Sequence, residues 1–181
     1  MHAITIPVWL AFPDVEKPYV EEICGHRERK VSPKRRHALL QTRVAAALDR
    51  WATGRGEVGT EWRCYLIAAQ GRPSSLVPDV AYYSFARLPA ELDEDRRERP
   101  RIAPDIVVEI LSPGDRRRTL DEKIGLYLRH GSIIVLVLDP DERTLVTHRR
   151  EASSGRRASG RIIIDPYDDL VLDCDELFRG V

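Results

Sequence analysis

The stretch APDIVVEILSPGD, residues 103–115, constrains the fold more than any other part of the chain. Ile106, Val107, Val108, Ile110 and Leu111 leave it no polar side, so it reads as a strand buried on both faces. A strand of that kind belongs in a sheet with other layers packed on it. Yet Glu109 stands inside the run. An ionised carboxylate there is costly unless it is paired, hydrogen-bonded or bound to a metal. The function of the chain turns on what Glu109 meets.

The flanking sequence alternates helix and strand. Residues 19–31 hold one or two short strands. In SPKRRHALLQTRVAAALDRWATGRG, Ser32 is the expected N-cap and Pro33 the first helical residue. Leu40, Val44, Leu48 and Trp51 recur at helical spacing, and Gly54 ends the helix. EWRCYLIAA (61–69) reads as a strand, GRPSS as a turn, VPDVAYYSF (77–85) as a strand, and LPAELDEDRRERPRIAP (88–104) as a solvated loop or short helix. After the Glu109 strand, TLDEKIGLYLRHG reads as a helix with a capping box from Thr119 to Glu122 and a stop at Gly131. SIIVLVLD (132–139) is a buried strand, TLVTHRR (144–150) an edge strand, and RIII and LVL are short strands after a polar loop. Strands 61–69, 77–85 and 105–112 are expected to form an antiparallel meander, with the helix at 119–130 crossing over to strand 132–139. The fold class that follows is α/β, a mixed sheet flanked by helices, in one domain over residues 1–181.

Composition narrows the functional classes. The chain has 181 residues, 43% of them hydrophobic, enough for one domain with a substantial core. Its 32% of charged residues balance to a formal net charge of zero, so a nucleic-acid role must rest on local patches. No apolar run approaches the ~20 residues of a membrane span. The start, MHAITIPVWLAFPD, lacks a basic leader region and is expected to be folded chain, not a signal peptide. Cys24, Cys64 and Cys174 have neither metal nor disulfide spacing and are expected to be free thiols of a cytoplasmic protein.

Strand geometry then selects the partners of Glu109. A strand advances ~3.3 Å per residue, so Asp105 lies roughly 13 Å away and cannot share one ion with Glu109. Asp105 is expected to cap the strand start, and Asp115 and Asp121 to complement the start of the next helix. Asp79 begins the neighbouring antiparallel strand, which places it beside the end of the Glu109 strand. Two carboxylates so close repel unless a cation lies between them. On the following helix Lys123 falls beside Leu120 and Tyr127, on the flank of the stripe formed by Leu120, Ile124, Tyr127 and Leu128. The short SPGD link returns that helix start to the Glu109 strand, so Asp79, Glu109 and Lys123 converge. His37 lies one turn before Leu40 and Gln41, on or near the buried helix face, as a core histidine or a residue lining the site.

Proline-Asp, a strand with Glu and then a Lys is the logic of the PD-(D/E)xK nucleases, although here the position two residues after the acid is Leu111. PDIVVEILSPGDRRRTLDEKIGLYLRHG followed by VLDPDERTLVTHRR is similar to the Uma2 (DUF820) family. VSPKRRHALLQTRVAAAL, VPDVAYY and LDCDELF extend the resemblance over roughly residues 19–178. GSIIVLVLDP departs from it where the family carries an aromatic pair. The resemblance implies a restriction endonuclease-like fold and a catalytic lysine that has moved to the helix, here Lys123, with His37 matching a family histidine. It implies Mg²⁺, or Mn²⁺ in its place, held by Asp79, Glu109 and the Ile110 carbonyl, and hydrolysis of DNA. Arg149, Arg150, Arg156 and Arg157 are candidate phosphate contacts on one hairpin. A catalytically inactive nucleic-acid-binding or scaffold protein and a purely structural ion network stay open as alternatives. A homodimer is also open to the chain.

Overall fold

The computed structural model describes residues 19–30, 33–67, 71–113, 116–151, 156–158 and 160–181, with the side chains of 156–158 excepted. The start of the chain, Ser32 and Asp115 therefore lie outside the described residues. The elements in order are β1 (Val20–Ile23), β2 (His26–Arg29), α1 (Arg35–Ala52), β3 (Gly56–Thr60), β4 (Cys64–Ile67), β5 (Pro73–Leu76), β6 (Val80–Ser84), α2 (Glu94–Glu98), β7 (Ile106–Ile110), α3 (Arg117–Arg129), β8 (Ile134–Asp139), β9 (Thr144–His148), β10 (Arg156–Ala158), β11 (Arg161–Ile164), β12 (Tyr167–Asp173) and α4 (Cys174–Leu177).

The central sheet runs β10-β9-β8-β7-β6-β3. Among the described residues only β7 and β8 pair in parallel, joined through α3 as the crossover expectation required. All five residues of β7 are buried, because both faces are covered. On one face Val80, Tyr82, Ile106, Val108, Ile110, Leu136 and Leu138 pack against Leu40, Val44 and Leu48 of α1. On the other, Val107, Val135 and Val137 pack against Ile124, Leu126 and Tyr127 of α3. Glu109 pairs with Val137 in the parallel ladder and falls by alternation on the α3 face. A second sheet, β2-β1-β5-β4, also contributes Ile23, Cys64, Leu66 and Leu76 to that core.

Three expectations are corrected. The meander does not include the strand read at 61–69. That segment holds β4, which pairs with β5 in the second sheet, and the place beside β6 belongs to β3, full length in register from Gly56 opposite Ser84 to Thr60 opposite Val80. The GRPSS segment is not simply a turn, since β5 begins at Pro73 and buries Ser74 and Ser75. Its serines looked like loop residues, but Ser74 accepts from the Cys24 amide and Ser75 from the Arg63 guanidinium, which replaces the water they give up. Finally, neither main helix begins at its sequence signal: α1 begins later than the Ser32–Pro33 signal, and α3 begins earlier than the Thr119 signal. Helix α1 has Lys34 at its N-cap position, and α3 has Arg116 there, neither with a side-chain cap. Glu122 does not form the capping box with Thr119; it pairs with Arg118 and His26 at 3.0 and 3.4 Å.

The helix stops are as expected. Gly54 and Gly131 follow the helices with φ of +74° and +98°, where a side chain would strain the backbone. Cys24, Cys64 and Cys174 are free, and burial pushes the Cys64 thiol up to about 12. Among the described residues no helix is long and apolar enough to cross a membrane.

Candidate active site

The antiparallel register of β6 and β7 pairs Val80 with Val108, and the Asp79 amide donates to the Val108 carbonyl at 3.0 Å. Asp79 thus stands opposite Glu109 at one edge of the sheet, as strand geometry required. Asp105 is at the other end. It accepts from the Ser84 amide at 2.8 Å and lies 3.3 Å from Arg87, as a strand-start cap would.

Asp79 is 1% exposed, so every lone pair matters. Its Oδ2 accepts from the Ile110 amide at 2.7 Å and lies 3.2 Å from His37 Nε2. Its Oδ1 has the Lys30 ammonium 2.6 Å away but no aligned hydrogen-bond donor. Burial alone would raise this acid. Lys30 and His37 outweigh burial and hold the carboxyl well below the usual carboxylate range.

Glu109 is gripped differently. Tyr127 Oη donates to its Oε1 at 2.9 Å, and Lys123 Nζ donates to its Oε2 at 2.8 Å. The Lys123 ammonium also reaches Glu21, 3.0 Å from its Oε1. Burial pushes Glu109 up to about 7 against the pull of Lys123 and Lys30, with Asp79 and Glu21 adding to the rise. Burial would lower Lys123, but Glu109 and Glu21 outweigh it and raise its pKa. Lys123 lies beside Leu120 and Tyr127, as the helical spacing placed it, but it does not reach out to solvent. It is 6% exposed and enters the core face between Leu120 and Tyr127 because two carboxylates receive it there.

Asp79, Glu109, Ile110, His37 and Lys123 all line one open cavity of about 350 Å³. Residues that the sequence did not mark for the site line it too, among them Glu21, Lys30 and, at its rim, Arg29 and Arg116. Glu21 carried a readable signal. In β1 it shares the inward face with Ile23 while Val20 and Glu22 alternate to the other side, so an acid sat on an apolar stripe. Its Oε1 accepts from the Val77 amide at 2.7 Å, which ties the second sheet to the chain leading into Asp79. Lys30 and Arg29 follow no period that would have marked them. The Arg149 hairpin is not brought to the cavity. Arg149 pairs with Asp165, and His148 lies level with Val135, at the start of β8, whereas Ile110 lies level with Leu138 near its end. The side chains of Arg156 and Arg157 lie outside the described residues.

As a home for a divalent cation, this donor set fits. The cavity lining holds four carboxylates, Glu21, Glu28, Asp79 and Glu109, with the ammonium groups of Lys30 and Lys123, the guanidinium groups of Arg29 and Arg116, and the His37 imidazole. Asp79 Oδ1 is a buried acceptor without an aligned donor. Among the described residues no three His, Cys, Asp or Glu side chains are grouped to ligate one ion by themselves. Two carboxylates completed by backbone oxygen and water are the pattern Mg²⁺ commonly takes.

The sequence model of the Uma2 family, described as "Putative restriction endonuclease", matches residues 9–169. The chain belongs to the Uma2 family. A crystal structure of "a putative nuclease belonging to DUF820" from Anabaena variabilis ATCC 29413 superposes on this Uma2 chain with a TM-score of 0.80. The two share 25% identity over 94% of each chain. The fold of this Uma2 protein is thereby restriction endonuclease-like. No curated protein sequence matches it.

Proposed function

We propose that this Uma2 protein is a divalent-metal-dependent endonuclease that hydrolyses phosphodiester bonds of DNA. The observation that carries the reading is the meeting of Asp79, just before β6, Glu109 of β7 and Lys123 of α3 around one open cavity. Mg²⁺, or Mn²⁺ in its place, would polarise the scissile phosphate and lower the pKa of the attacking water. Asp79 Oδ1 and Glu109, with the Ile110 carbonyl, are the groups that would hold it. His37 and the Ile110 amide fix Asp79 through its other oxygen, which leaves Oδ1 turned to the task. Tyr127 fixes Glu109 in the same way. Lys123 has three N–H donors and two carboxylate partners, so one donor remains for the attacking water or for charge on the phosphate.

The test is nicking of supercoiled plasmid with Mg²⁺ or Mn²⁺. The parent is expected to cut, and Asp79→Asn is expected to lose cutting together with metal binding. A parent that binds Mn²⁺ and DNA but never cuts would make this a silent member of the fold. One observation favours a structural second reading: Lys123 already pairs with both Glu21 and Glu109. Calorimetry separates the two, because a closed ion network takes up no Mn²⁺.

The substrate side of the reading rests on exposed cations at the cavity mouth. Arg29 and Arg116 are exposed and line the cavity. Changing each to Ala is expected to weaken DNA binding for any sequence and to lower the salt slope by about one per residue, as loss of one phosphate contact does. An unchanged slope in the double variant would place the DNA elsewhere.

A further inference from the structure

Lys30 is the one cation of the cavity that the nuclease chemistry leaves without work. Its Nζ lies 2.6 Å from Asp79 Oδ1, yet that contact lacks hydrogen-bond alignment. The aligned bond of the same ammonium goes to the Val77 carbonyl at 2.7 Å. The backbone bond therefore anchors Lys30 in addition to its short contact with Asp79. A divalent ion bonded to Asp79 Oδ1 at ~2.1 Å would stand within about 5 Å of the ammonium. In a buried site that is a strong like-charge contact. The Lys30 side chain is 17% exposed against 8% for Lys123, and it follows Arg29 at the cavity mouth, so it has a path outward.

We propose that Lys30 is a built-in competitor for the metal position. Its ammonium neutralises Asp79 until a divalent cation displaces it, and the released ammonium then contacts a DNA phosphate. This rests on the nuclease reading and adds a control to the same site: the ion, by freeing Lys30, strengthens the hold on DNA.

The test uses the full chain and two readouts. Mn²⁺ affinity is measured by calorimetry for the parent and Lys30→Met. The variant is expected to bind Mn²⁺ about tenfold more tightly, the effect of removing one close competing charge. Binding of a short DNA duplex is then followed by fluorescence anisotropy with and without Mn²⁺. Lys30→Met should weaken it in Mn²⁺ and leave it unchanged without the ion. A merely structural lysine would not produce opposite effects on metal and DNA. Equal or weaker Mn²⁺ binding by the variant overturns the proposal while the nuclease reading stands. So does a DNA effect that is the same with and without Mn²⁺. If neither protein takes up Mn²⁺, both the proposal and the nuclease reading fall. Should Lys30→Met fail to fold, Lys30→Gln, which can still donate to the Val77 carbonyl, gives the same comparison.

Discussion

Lys123→Met is expected to lower the rate of DNA cleavage by about 10²–10³-fold, the usual cost of removing one preorganised electrostatic group. The burial of Lys123 adds a stability cost. Lys123 is the shared partner of Glu109 and Glu21, and removing one member of a buried ion pair costs about 3–5 kcal/mol. The two effects are separated by measuring cleavage well below the melting temperature of the variant. Mn²⁺ binding should persist there and tighten, since Asp79 and Glu109 remain and a competing cation is gone. Lys123→Arg keeps the charge and controls for folding. If Lys123→Met cleaves as fast as the parent under those conditions, the lysine that moved to the helix is not the catalytic one.

Glu109→Gln should lose metal affinity and cleavage together, and it should also change how stability depends on pH. Glu109 moves from an ordinary 4.5 to about 7 in the folded protein, chiefly through burial. Between those values the folded chain keeps a proton that the unfolded chain has released. Stability from this group is therefore full at low pH and declines as pH rises through the window. Asp79 acts oppositely. Its carboxyl is held low by Lys30 and His37 against burial, so its contribution is present at neutral pH and is lost as pH falls below the ordinary carboxylate range. Melting temperatures of the metal-free parent should consequently drop between about pH 5 and 7.5, and Glu109→Gln should flatten that decline. Mn²⁺ should reverse the slope in the parent, because it binds the ionised form, and should have no such effect in the variant. An identical pH slope in the two metal-free proteins would mean that Glu109 is already ionised well below neutrality and that Lys123 and Tyr127 compensate its burial completely.

Local periodicity along the chain was enough to specify several parts of the fold. The unbroken apolar run around Glu109 required a strand covered on both faces, and β7 is that strand. The helical stripe of Leu40, Val44 and Leu48 and the stops at Gly54 and Gly131 follow from 3.6-residue spacing and from backbone that only glycine adopts freely. The pairing of Asp79 with Glu109 was also legible, since an antiparallel neighbour must bring its start to the end of β7. What surrounds these two acids depends instead on contacts between distant segments. Glu21 and Lys30 come from β1 and the end of β2, in a different sheet, and no spacing along the chain relates them to Glu109. Lys123 looked like a flank residue because helical periodicity measures direction around an axis, not what waits there, and two buried carboxylates draw it inward. Strand β3 beside β6, and β5 in place of a turn, escaped notice for the same reason. Glycine and serine are poor strand formers by themselves, and they become strands here because partners elsewhere in the chain complete their hydrogen bonds.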